Sequence, residues 1–182
     1  MVRKDYSEEA HSIHDTKCKQ LIKQYSNQLI IDSVENLNID CVCYNWYDGK
    51  SYFEPYCYLE LEWNSNFKVT ANKVFPYDTI YFYAHKVERY SELKHSFYIK
   101  FSKCYKYVNI TAFKDIEYTE DDIKRIDCNN LDVSDNNQPY QNDTIIRDLS
   151  NTYFCKLENY EEAILHYMKF GCFDDKTNLL KN

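Results

Sequence analysis

The segment Tyr58-Leu59-Glu60-Leu61-Glu62-Trp63 alternates strictly between apolar and acidic or aromatic residues. That period of two is the signature of a β-strand with two unlike faces. Successive side chains on a strand point to opposite faces, so Glu60 and Glu62 share one face while Leu59 and Leu61 share the other. A sheet containing this strand must bury the leucine face and find a use for a pair of neighbouring carboxylates.

A second strand is expected over Asp40–Tyr47, with Asp48-Gly49-Lys50 as a hairpin signal between the two. That places an aspartate, Asp40, on a strand next to the glutamate pair. Three oxygen-rich side chains on adjoining strands suit a hard divalent cation such as Mg²⁺ or Mn²⁺. A cation held there activates water against a phosphodiester. The simpler alternative is that Glu60 and Glu62 form the wet face of an amphipathic strand and Asp40 ends a turn.

The spread of charge bears on the same question. The net charge of −7 argues against general affinity for nucleic acid. Yet residues 27–63 carry seven acidic and one basic group, and residues 64–114 carry three acidic and nine basic groups. An acidic block for a cation followed by a basic block for phosphates is what a metal-dependent nuclease requires. Solvated faces give the same blocks with no function. Residues 115–182 are acidic again, with fifteen acidic and seven basic groups.

The expected order of elements is a helix from Ser7 to about Tyr25, a strand at Leu29-Ile30-Ile31, and the two strands above. Another strand follows at Thr79–Tyr83 and a short helix at Ala84–Leu93, which brings His85, Lys86 and Arg89 together. A hairpin of Phe97–Ser102 with Tyr105–Ile110 ends the core. Beyond Asp115 the chain reads as a polar extension, with a helix over Asn159–Phe170 that Gly171 ends. The fold class is therefore α+β: an N-terminal helix, a central mixed sheet with a flanking helix, and a C-terminal helical appendage. The expected division is a core over 1–114 and an acidic extension over 115–182, the latter suited to a protein partner.

The eight cysteines are scattered with no CxxC. They read as buried thiols acting as small hydrophobes. His11, His14 and Cys18 fall along one helix face, but three ligands with no fourth make a thin metal site. No run approaches the roughly 20 apolar residues of a membrane helix, and the charged N-terminus lacks a secretory h-region. The expected location is intracellular, cytoplasmic or nuclear, or within a virion, and not secreted. The excess of Asn, Lys, Ile and Tyr suggests an AT-rich genome.

Over residues 7–114 this pattern resembles the PD-(D/E)xK, restriction-endonuclease-like superfamily. It is most similar to a phage and viral branch whose motif reads Glu-x-Glu. The resemblance implies that Asp40 and Glu60 hold Mg²⁺ or Mn²⁺, joined in some members by a helix-borne glutamate, here Glu8 or Glu9. Glu62 stands where the family usually has a lysine that orients the attacking water. It is expected to assist as ligand or general base, with Lys68 or Lys73 as a substitute charge. Lys86 and Arg89 are expected to hold phosphate. The implied activity is metal-dependent hydrolysis of phosphodiester bonds in DNA or RNA. Two other readings stay open: a catalytically inactive nuclease fold that binds nucleic acid, a virion component or a protein partner, and an unrelated α+β interaction protein.

Overall fold

The computed structural model describes residues 8–32, 39–45, 55–127 and 141–182. Helix α1 spans Glu8–Gln24. Cys18, Leu21 and Ile22 form its buried stripe at helical spacing. Three strands follow, β1 (Leu29–Asp32), β2 (Cys41–Asn45) and β3 (Cys57–Trp63), and they form an antiparallel meander. The Asp48-Gly49-Lys50 turn and Ser7, the expected start of the first helix, lie outside the described residues.

After β3 the chain leaves the sheet. It passes through β4 (Thr79–Tyr83) and helix α2 (Ala84–Tyr90), then returns as β5 (Ser96–Phe101), parallel to β3. This crossover is what makes the sheet mixed, since parallel neighbours need a long connection. Strand β6 (Tyr107–Ala112) completes the expected hairpin with β5. A single 3₁₀ turn at Glu120–Asp122, closed by a Thr119–Asp122 capping box, leads into β7 (Ile123–Asp127). Strands β8 (Gln141–Asp148) and β9 (Tyr153–Lys156) and helix α3 (Tyr160–Phe170) finish the chain. Gly171 ends α3 at φ 76°, in the left-handed region, with its amide donating to the Tyr167 carbonyl at 2.7 Å.

The large sheet has the order β1-β2-β3-β5-β6-β9, and β4-β8-β7 form a second, antiparallel sheet. Alternation on the large sheet gives two cores. Cys41, Cys43, Leu59, Leu61, Phe97 and Ile99 face one side, where α1 and α3 cover them. Val42 and Tyr98 face the other, against Phe82, Val87, Ile145 and Phe113 from the small sheet, α2 and the turn after β6.

The α+β class and the two terminal helices stand as expected. The boundary at residue 114, however, does not divide the molecule. Strand β8 pairs with β4 and β9 with β6, and Tyr160, Ala163, Ile164 and Tyr167 of α3 are core residues. The physical reason is edge protection: without β9, β6 would be an open edge. The C-terminal segment closes the next edge in turn. Leu179 donates its amide to the Phe154 carbonyl at 2.9 Å, and Asn178 Oδ1 accepts the Phe154 amide at 3.1 Å. Buried Glu161 also ties α3 to the start of β1, its carboxylate accepting the amides of Asn27, Gln28 and Leu29 at 2.6–2.8 Å.

Five of the cysteines, Cys18, Cys41, Cys43, Cys57 and Cys155, are buried free thiols, and Cys104 and Cys172 are exposed. Burial pushes the thiols of Cys18, Cys41 and Cys155 far above their ordinary range. Cys18 is thus a core residue. His14 stacks on the Trp63 indole with ring centroids 3.7 Å apart and meets the Tyr105 hydroxyl.

Candidate functional site

Cys41 lies opposite Leu59 in the β2–β3 ladder, so Asp40, one residue earlier, falls beside Glu60. The Asp40 carboxylate is fixed at both oxygens. Oδ2 accepts the Leu61 amide at 2.8 Å, and Oδ1 lies 3.2 Å from Lys19 Nζ of α1. The parallel register of β3 with β5 puts Tyr98 beside Glu60 and Lys100 beside Glu62. Helix α2 then brings the Lys86 ammonium onto Glu60 Oε1.

Neighbours on one face of β3, the two glutamates have opposite surroundings. Glu62 is fully engaged. Its Oε1 accepts the Tyr81 hydroxyl at 2.9 Å, and its Oε2 accepts both the Tyr98 hydroxyl and Lys100 Nζ, the latter at 2.8 Å. The Lys100 side chain is 1% exposed. Its Nζ lies 4.0 Å from the Tyr81 ring centroid and 4.6 Å from that of Tyr98, so aromatic faces replace its hydration. Burial works to raise the Glu62 pKa, but the Lys100 charge and the donated hydrogen bonds outweigh it and hold the carboxyl below its ordinary value. Burial drives Lys100 the other way, below its usual range, against the pull of Glu62.

Glu60 is only half satisfied. Its side chain is 5% exposed, Oε1 takes Lys86, and Oε2 is buried with no hydrogen-bond partner among the described residues. Burial is the main cause that lifts its carboxyl to about 7, with Lys86 opposing and the charges of Asp40 and Glu62 adding. Lys86 responds in kind: burial lowers it, but Glu60 first, then Glu62 and Asp40, hold it above its ordinary value. The three carboxylates therefore feel one another, and three ammonium groups, Lys19, Lys86 and Lys100, face them.

The structure thus brings together Asp40, Glu60, Glu62 and Lys86. Arg89 lies further along α2, with its guanidinium 5.9 Å from the Tyr90 ring, and the charges of Lys86 and Arg89 add to burial in lowering His85. Glu9 is in the first turn of α1, and its side chain lies outside the described residues. Lys68 and Lys73 are exposed on the loop after β3. Lys19, Lys100, Tyr81 and Tyr98 were not singled out from the sequence. A lysine inside the apolar run Phe97–Phe101 was the one available signal for Lys100.

Among the described residues, no three His, Cys, Asp or Glu side chains stand together as a ready-made metal cage. Mg²⁺ seldom needs one: it usually keeps several waters and takes one or two carboxylates plus substrate phosphate. Buried Glu60 Oε2, without a partner among the described residues and on the residue beside Asp40, fits that kind of ligation. Comparisons with protein families, with curated proteins and with solved structures return no match for this chain. Among the described residues, no helix is long and apolar enough to cross a membrane.

Two outcomes follow. Removing one partner of the buried pair leaves the other charged and unpaired, so Lys100→Ala is expected to cost about 3–5 kcal/mol in urea denaturation; a loss below about 1 kcal/mol contradicts the buried pair. Glu60 has a folded pKa above its unfolded one, so its contribution to stability is full below about 4.5 and is lost as pH rises through about 7. In EDTA, Glu60→Gln should therefore gain on the wild type between pH 5 and 7, by at most about 1.4 kcal/mol per pH unit. A difference that stays constant with pH contradicts the raised carboxyl.

Proposed function

We propose that the protein is a divalent-cation-dependent nuclease that hydrolyses phosphodiester bonds in DNA or RNA, with Asp40 and Glu60 as the protein ligands to Mg²⁺ or Mn²⁺. The observation that carries this is Glu60 Oε2, a buried carboxylate oxygen with no hydrogen-bond partner among the described residues, on a glutamate that the β2–β3 register sets beside Asp40. Buried polar atoms are otherwise almost always hydrogen-bonded. An acidic oxygen kept vacant at the cost of a raised pKa is a poised ligand rather than a wet strand face. The order of a helix, a meander with Glu60 on β3 and Asp40 just before β2, a fourth strand, a helix and further strands supports the resemblance to the PD-(D/E)xK superfamily.

When bound, the cation would supply an activated water and neutralise phosphate charge. The chain's own residues prepare for that. The Leu61 amide fixes Asp40, so one ligand is oriented beforehand. Lys86 neutralises Glu60 in the cation-free protein and, released from it, stands ready to hold phosphate, with Arg89 one helical turn further on. Glu62 is a positioning residue: engaged at both oxygens, it holds β3 against β5 and keeps Glu60 in register. Under this proposal the protein works where nucleic acid is, inside a cell or in a virion.

A second reading, the same fold without catalysis, is favoured by one observation. Three lysines already neutralise the three carboxylates, as a site retired from metal chemistry would require. Calorimetry with MgCl₂ and MnCl₂ separates the two. The proposal predicts binding by the wild type, loss of binding in Asp40→Ala and Glu60→Ala, and tighter binding in Lys86→Met, which removes the competing ammonium. Cleavage of DNA or RNA in Mn²⁺ should then be lost in the two alanine variants. No binding by the wild type, or binding indifferent to both alanine changes, overturns the proposal and leaves a non-catalytic role.

A further inference from the structure

An open cleft of about 550 Å³ lies between α1 and the β5–β6 turn, bounded below by the end of β9. Its volume falls within the roughly 300–1,000 Å³ of ligand sites. Lys17, Lys106 and Lys156 line it, against a single carboxylate, Glu158, 3.9 Å from Lys156 Nζ. Tyr25 and Tyr105 form its half-buried walls. Lys19, two residues along α1 from Lys17 and so turned about 200° away, serves Asp40 instead. One helix thus separates the cleft from the carboxylate site.

Tyr105 is held there by contacts from α1 and β3. Its φ of 61° lies in the left-handed region, unusual for a bulky residue. The contact of its hydroxyl with His14 and its ring's place 6.2 Å from the Trp63 ring keep it in position. Strained residues persist where the surroundings over-determine them, commonly at sites of function.

We infer that this cleft binds a single strand of nucleic acid, with Lys17, Lys106 and Lys156 on phosphates and Tyr25 and Tyr105 against bases. A cationic groove interleaved with aromatic rings is the surface that sequence-tolerant strand binding uses. An acidic peptide would match the lysines but would make no use of the rings. The inference goes beyond the cation site and stands whether or not Asp40 and Glu60 bind a cation.

Fluorescence anisotropy in EDTA, where no metal-dependent cleavage occurs, tests it with labelled oligothymidylate and oligouridylate. Binding by the wild type is expected to weaken roughly three-fold or more in each of Lys106→Ala and Lys156→Ala. The slope of log affinity against log salt should fall by about one for each lysine removed. Lys169→Ala on α3 should change neither. Exposed Cys104 lies in the cleft and exposed Cys172 does not, so bound oligonucleotide should slow maleimide labelling of Cys104 and not of Cys172, read by peptide mass spectrometry. Absence of oligonucleotide binding, binding indifferent to both cleft lysines, or displacement of the strand by a hexa-aspartate peptide at equal charge concentration overturns the inference. Failure of cation binding at Asp40 and Glu60 leaves these readouts unmoved.

Discussion

The ion pair between Glu62 and Lys100 holds together parts of the chain that no local signal joins. It links β3 to β5, the one parallel pair among the described strands of the large sheet, and it draws Tyr81 from the small sheet onto the same carboxylate. Charges so well buried are costly to desolvate and are kept only where geometry and further hydrogen bonds repay them. Here the tyrosine hydroxyls satisfy the carboxylate and the tyrosine faces surround the ammonium. The two sheets are thereby fixed relative to each other, and so is the environment in which Glu60 sits.

From that anchor the contrast between Glu60 and Glu62 follows. Two carboxylates two residues apart on one strand meet opposite surroundings, one held ionised by partners at both oxygens, the other lifted toward neutrality with an oxygen that has no partner among the described residues. Environments that push neighbouring pKa values apart divide labour between like groups. On this account Glu62 is scaffold and Glu60 is chemistry. Each glutamate meets a lysine from another element: Lys100 meets Glu62 from the next strand, and Lys86 meets Glu60 from α2.

Much of this was legible in the residues. The period-two run at Tyr58–Trp63 gave the strand and the shared face of its glutamates, and the stripe around Leu21 and Ile22 gave α1. The hairpin of β5 with β6 and the glycine stop of α3 were equally local features. What escaped the sequence was non-local. Nothing within Thr79–Tyr83 tells it to leave the large sheet and pair with β8, some sixty residues on. The polar, acidic character of residues 115–182 hid the fact that β9 and α3 complete the main core. Lys19 and Lys100 were passed over for the same reason. Their roles depend on which strand or helix lies alongside, and that is set by tertiary packing rather than by spacing along the chain.

The central claim is that Asp40 and Glu60 are the ligands of a divalent cation and that Lys86 stands in for it when it is absent. Anomalous diffraction from crystals of the protein grown with Mn²⁺ tests this most directly. The account predicts a manganese peak in contact with Glu60 Oε2 and an Asp40 oxygen, with the Lys86 ammonium displaced from Glu60. An intact Lys86–Glu60 pair with no manganese between the two carboxylates would contradict it.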